Sequence, residues 1–264
     1  MQAFNYQRPS SLADAAKALS AGADVKLVAG GQTLLPTMKQ GLAAPSDLVD
    51  LAGVAELKGI KMDGNNLVIG AMTTHAEVAK SSVVKGAIPA LTVLADGIGD
   101  PQVRNRGTIG GSISNNDPAA DYPAGLVGLG ATVVTNKRKI AADDFFKGLF
   151  ETALGAGEIV TAVSFPKPDK AAYAKFPQPA SRFALVGVFV SKSGSNLRVA
   201  VTGAGPKVFR QADFEKALAA NFSADALKSA KQSASGLNSD IHGSAEYRAH
   251  LVGVMARRAV AAAG

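Results

Sequence analysis

Hydrophobic positions along this chain switch repeatedly between a period near two and a period near 3.6, and the switches mark out its elements. The opening AFNYQRP alternates and stops at Pro9, the pattern of a short strand. Ser11 then caps a helix predicted through residue 21, with Asp14 in its first turn and Gly22 just past its end. Residues 25–29 form a short apolar strand, and DLVDL, after a proline-containing loop, suggests another buried one. Two alternating runs, 60–62 and 67–69, flank Asp63-Gly64-Asn65-Asn66, which predicts a hairpin. Thr74 followed three residues later by Glu77 is a capping box for a helix. A second helix is predicted over 90–98. Asp117-Pro118 has the form of an N-cap followed by proline at the first helical position. Pro123 lies too deep for an undisturbed first turn, so that helix is expected to be kinked or to start late.

Strand character resumes at 131–135 and Ile140, and again over 158–165, ended by Pro166. The stretch PKPDKAAYAKFPQPASRF, with four prolines, opens a new unit. FALVGVFVSKS, a Ser-Gly-Ser-Asn turn and LRVAVTGAG then predict an antiparallel hairpin. Residues 211–263 are rich in alanine and lysine with helical spacing, broken near Gly236 and Gly243, and predict two or three helices packed on that hairpin. Local helices mixed with hairpins make the class α+β rather than a doubly wound parallel sheet.

Composition narrows the chemistry mainly by what is missing. The 264 residues contain no cysteine, which excludes disulfides, thiolate zinc sites and a cysteine-ligated iron–sulfur cluster within this chain. The three histidines, His75, His242 and His250, are scattered without metal-ligand spacing, and each is expected on the surface. No apolar run is long enough to span a bilayer. The first residues show no basic region followed by an apolar stretch, so a cytoplasmic location is expected. The net charge of +7 is spread along the chain, and its one cluster, Lys137-Arg138-Lys139, has the pattern of a solvated turn. No nucleic-acid module is visible. A positive balance suits an acidic partner or an anionic cofactor.

Two glycine-rich segments carry the most information. One is VAGGQTLLP, around Gly30 and Gly31; the other is NRGTIGGSISNNDPAAD, around Gly110 and Gly111. Adjacent glycines let backbone N–H groups approach a ligand without an intervening Cβ. Several such groups in one concavity bind an anion. Two of them suit a pyrophosphate better than a single phosphate. A lone Gly-Gly after a strand is usually only a turn; the pair of segments and the downstream Asp121 raise the odds of a site. Neither segment is GxGxxG or GxxxxGK followed by Ser or Thr, so the Rossmann and P-loop readings fail. Asp117 and Asp121 fit a cap and a ligand contact better than an acid/base pair. No Ser-His-Asp set can be assembled, and no residue is assigned a catalytic role.

KLVAGGQTLLPTMK, VIGAMTTHAEV, RNRGTIGGSISNNDPAADYPA and AGEIVTAVSFP, in this order and spacing, resemble the FAD-binding medium subunit of molybdenum hydroxylases. That family includes the carbon monoxide dehydrogenase medium subunit and the flavin domain of xanthine dehydrogenase. The resemblance covers essentially the whole chain. It implies a PCMH-type FAD-binding fold of two α/β subdomains, followed by a smaller domain with a three-stranded antiparallel sheet and a helical bundle. The implied boundaries are 1–56, 57–166 and 167–264.

The resemblance also implies roles. Leu27, Val28, Ala29, Gly30, Gly31, Gln32, Thr33 and Leu34 would form the first FAD loop, with the residues from Gly30 to Thr33 at the pyrophosphate. Thr108, Ile109, Gly110, Gly111 and Ser112 would form the second. Asp121 matches a position that contacts FAD, Thr161 a flavin contact from the next strand, Ile98 a position beside the ring and Lys175 a basic contact near it. Gln32 stands where histidine is common among relatives. The absence of cysteine excludes the branch with an extra cluster in this chain. By the resemblance, FAD is the chain's own cofactor. A molybdopterin cofactor and 2Fe–2S clusters belong to a large and a small partner subunit, in a dimer of heterotrimers, and FAD passes their electrons to an external acceptor. Two other readings stay open from the residues alone: a stand-alone FAD-dependent oxidase or reductase, and a non-catalytic nucleotide-binding module.

Overall fold

The computed structural model describes residues 1–263, and among them the class is α+β, built on three main sheets. The first is small and parallel. Asp47–Asp50 lies at its centre, between Asn5–Gln7 and Val25–Val28. The helix Leu12–Leu19 makes the crossover. Ser11 caps it by accepting the Asp14 N–H, and its buried Ala15 meets Val25, Val49 and Leu51.

The second sheet has five antiparallel strands in the spatial order Ile60–Asp63, Asn66–Gly70, Val160–Pro166, Thr132–Thr135 and Lys139–Ala141. Its first hairpin turns at the expected tetrapeptide. Between Asn66–Gly70 and Thr132–Thr135 the chain inserts six helices. The first, His75–Lys80, starts on the expected capping box, with Thr74 and Glu77 satisfying each other's backbone. The helix expected at 90–98 is Pro89–Asp96. The helix after Asp117-Pro118 starts late, as Tyr122–Leu129, which puts Pro123 in its first turn where a missing N–H costs nothing. Asp117 therefore caps no helix; its carboxylate accepts the Ala119 N–H and closes a turn instead. The second glycine segment is not a turn either. It is the helix Ile109–Asn115, because the Thr108 hydroxyl accepts the Gly111 N–H and sets the first helical turn in place.

The third sheet is an antiparallel meander of Lys170–Pro177, Ala184–Ser193 and Asn196–Thr202, with the two-residue strand Phe209–Arg210 at its edge. Side chains of Ala184–Ser193 alternate between two cores. Val186, Val188 and Val190 pack under the long helix Ala245–Ala263, whereas Phe189 joins the core around Leu91, Leu94 and Tyr122. A strand buried on both faces explains the unbroken apolar run ALVGVFV. The C-terminal stretch yields two α-helices, Ala212–Ala220 and Ala245–Ala263, and a 3₁₀ turn at Ala224–Leu227. Gly264, the end of the third expected unit, lies outside the described residues. No helix among the described residues is long and apolar enough to cross a membrane.

Candidate functional site

A cleft of about 900 Å³ opens between the parallel sheet and the five-stranded sheet. The strand Val25–Val28 delivers the first glycine segment to its rim. Gly31 adopts φ +71°, a left-handed conformation that turns the chain into the short helix Leu34–Lys39. Thr33 supplies no side-chain cap to that helix. The N–H groups of Gly30, Gly31, Gln32, Thr33 and Leu34 consequently donate to no other atom among the described residues. Five consecutive unpaired amides beside a cleft form a concavity of positive potential suited to an anion.

The second glycine segment faces the first but works differently. The amides of Ile109, Gly110 and Ser112 donate to the carbonyls of Thr73, Ala71 and Thr108 at 3.1, 2.9 and 3.0 Å, and the Gly111 amide is spent on the Thr108 hydroxyl. There is thus one amide cradle, not the two expected from the paired glycines. The second segment supplies close approach. A Cβ on Gly110 would lie 2.6 Å from Ala71 Cβ, and one on Gly30 would land on the backbone of Arg106 and Gly107.

Most of the residues expected at a site come together here. Leu27, Ala29, Gly30, Gly31, Gln32, Thr33 and Leu34 line one wall; Thr108, Gly110, Gly111 and Ser112 line the other; Ile98 and Asp121 lie along the same cleft. Four do not line it. Val28 and Ile109 bury their side chains beneath the walls. Thr161 donates its hydroxyl to the Val134 carbonyl at 3.1 Å, and its own carbonyl accepts the Ala71 N–H. Lys175 sits behind Asp121, donating to the carboxylate at 2.9 Å and to the Gly97 carbonyl at 3.0 Å. Burial pushes the Asp121 carboxyl up, while Lys175 and the Tyr173 hydroxyl, 2.5 Å away, draw it back toward the ionised form.

Several lining residues were not anticipated: His75, Ser114, Glu158, Arg182 and Phe183. Glu158 gathers Arg138, Thr135 and the Gly155 N–H around its carboxylate, and the hydrogen bond from Arg138 leads in holding it down at about 2. The cluster Lys137-Arg138-Lys139 lies exposed at the turn between two strands, as expected, with Arg138 tied to Glu158 and Lys137 to the Ala156 carbonyl.

His75 corrects the expectation of a surface histidine. It is only 4% exposed. Its N–H donates to the Gly107 carbonyl, and its ring packs 5.4 Å from that of Tyr122. The capping Thr74 forms a bridge with Thr108, so the first helical residue turns inward against the second glycine segment. Burial, with a smaller contribution from Arg104, lowers its pKa to about 4. A histidine lowered in this way destabilises the fold as it protonates. The stability of the cofactor-free chain is therefore expected to be full above pH 6.5 and to fall by about 3 kcal/mol between pH 6.5 and 4. Urea titrations across that window test this, and a His75→Gln chain should lose that part of the pH dependence. An unchanged slope in the variant would contradict it.

Comparison with known proteins adds independent findings. Residues 2–168 match the family model described as the FAD binding domain in molybdopterin dehydrogenase, and residues 171–263 match the CO dehydrogenase flavoprotein C-terminal domain. The chain is 38% identical over 278 aligned positions to the nicotine 6-hydroxylase medium subunit of Paenarthrobacter nicotinovorans, covering 100% of this chain and 98% of that one. It is 35% identical to the carbon monoxide dehydrogenase medium chain of Hydrogenophaga pseudoflava, covering 98% and 96% respectively. Among solved structures, reconstituted CO dehydrogenase from Oligotropha carboxidovorans superposes with a TM-score of 0.90 at 35% identity, over 99% of this chain and 98% of that one.

Proposed function

From the premise that this chain belongs to the family of FAD-binding medium subunits of molybdenum hydroxylases, we propose that it is the electron-transfer subunit of such a complex. In this reading it receives electrons from iron–sulfur clusters of a partner subunit and passes them to an external acceptor. The observation that carries the cofactor assignment is the run of five unpaired amides from Gly30 to Leu34 at the rim of the cleft. These amides would hold the FAD pyrophosphate, as backbone donors neutralise a dianion without adding side-chain bulk. The second segment, from Thr108 to Ser112, would close over the nucleotide from the opposite wall. Ile98 and Asp121 would lie along it, and Lys175 would act on it through Asp121. Thr161 would contribute through the backbone that supports Ala71. The bound flavin supplies the redox chemistry, and the chain supplies binding and orientation.

The proposed organisation follows the sheets: a unit at 1–56, a second at 57–166 and a third at 167–264. The proposed partners are a large molybdenum-cofactor subunit and a small 2Fe–2S subunit, in a cytoplasmic dimer of heterotrimers. A lasting interface of that kind buries at least ~1,200 Å² in total. The substrate of the complex is then recognised by the large subunit, not by this chain.

FAD is expected to bind one per chain and without a covalent link. There is no cysteine to attach it. His75, the histidine in the cleft wall, has Nδ1 sealed from solvent and Nε2 wedged against Gly107. Acid precipitation of the yellow protein should release all of the colour into the supernatant. Colour retained by the pellet would contradict non-covalent binding, and a colourless native protein would contradict the cofactor assignment.

A further inference from the structure

Behind Asp121, the third sheet places two donors on one face of one strand. Tyr173 and Lys175 lie two residues apart on Lys170–Pro177. The Tyr173 hydroxyl donates to Oδ1 of Asp121 at 2.5 Å and Lys175 Nζ to Oδ2 at 2.9 Å. Asp121 lines the cleft, whereas neither donor does. The carboxylate is therefore gripped from behind, one donor to each oxygen. Its backbone is fixed as well. The Thr202 hydroxyl donates to the Ala120 carbonyl, one residue earlier, at 2.6 Å.

The neighbouring strand is shaped around this arrangement. In the apolar run ALVGVFV of Ala184–Ser193, Gly187 alone lacks a side chain. A Cβ there would fall on the Tyr173 hydroxyl, and within 2.9 Å of both its Cζ and Thr202 Cγ2. Gly187 thus leaves the space through which the phenol crosses the strand to reach Asp121.

Resting on the FAD reading above, we infer that Tyr173 is a positioning residue for the cofactor site: its hydroxyl, in the space left by Gly187, fixes the Asp121 carboxylate so that its remaining lone pairs face the cleft and accept from an O–H or N–H of the bound flavin nucleotide. A buried carboxylate with a single donor drifts toward its neutral form or rotates toward that donor. Two hydrogen bonds, one to each oxygen, hold it in one orientation and offset part of what burial costs its charged form. The C-terminal unit would in this way act directly on how the nucleotide is held.

The test uses the full chain with Tyr173→Phe, Asp121→Asn and the double substitution, each titrated with FAD by flavin fluorescence and checked for folding by circular dichroism. Tyr173→Phe removes the hydroxyl and keeps the ring. It is expected to weaken FAD binding by about ten- to a hundredfold and to shift the visible absorption bands of the FAD that still binds. The double variant should bind no more weakly than Asp121→Asn alone, because the hydroxyl acts only through that carboxylate. If Asp121→Asn does not fold, the affinity and spectrum of Tyr173→Phe decide. Wild-type affinity and spectrum in Tyr173→Phe, or costs that add in the double variant, would overturn the positioning role and leave the FAD assignment standing. A folded wild-type chain that takes up no FAD would overturn both.

Discussion

Gly31→Val is expected to yield a folded, colourless protein. Gly31 sits at φ +71°, where a β-branched residue carries a backbone penalty of ~1–2 kcal/mol. The new Cβ would also lie 2.8 Å from Leu35 Cδ1, at the start of the helix that follows. The cheapest relief is to swing the turn out of its left-handed conformation, and that scatters the amides from Gly30 to Leu34. The turn lies at the rim of the cleft and leads only into the short helix Leu34–Lys39, so far-UV circular dichroism should stay close to the wild type while FAD content falls to near zero. Gly110→Val should behave oppositely. Its φ is not left-handed, but its Cβ would lie 2.6 Å from Ala71 Cβ and 2.7 Å from the Ala71 carbonyl that accepts its own N–H. Overpacking of this kind costs ~1–3 kcal/mol or more, and it falls where the helix Ile109–Asn115 docks on the five-stranded sheet. The expected result is a lower urea midpoint, with flavin lost as a consequence. Full FAD occupancy in Gly31→Val would remove the amide cradle from the account.

The contrast between these two glycines shows what the sequence could reveal. Short-range chemistry was legible. Thr74 and Glu77 announce their capping box, Asp63 to Asn66 their hairpin, and the strand running into Gly30 and Gly31 its turn, because each depends on residues within a few positions. The second glycine segment looks the same on paper, yet the Thr108 hydroxyl and the Ala71 and Thr73 carbonyls use up its amides and make it a helix. Ala71 and Thr73 are more than thirty positions away, so no local pattern carries that information. His75 was misplaced for the same reason: its inward turn follows from the bridge between Thr74 and Thr108. The grip of Tyr173 and Lys175 on Asp121 spans 52 and 54 positions. Asp121 was visible as a polar residue beside a glycine motif, whereas Tyr173 reads as an ordinary aromatic in a strand. A stronger clue was Gly187, since a glycine in an otherwise β-branched and aromatic strand signals a close approach.

In the proposed role this chain carries electrons and does not extract them from a substrate itself. The cleft presents glycine backbones along its walls, and its Asp121 carboxylate is held by Tyr173 and Lys175, which suits a ligand contact better than proton abstraction. The direct measurement is stopped-flow absorbance of the FAD-loaded chain, with and without the molybdenum and iron–sulfur subunits, after mixing with aldehydes, purines or carbon monoxide. The isolated chain should keep its yellow colour for the whole trace. Addition of both partners, with the substrate that suits the large subunit, should bleach it at roughly 1–10³ s⁻¹, the ordinary range of enzyme turnover. Bleaching of the isolated chain by an organic substrate at such rates would contradict the subunit reading and establish a stand-alone flavoenzyme in its place.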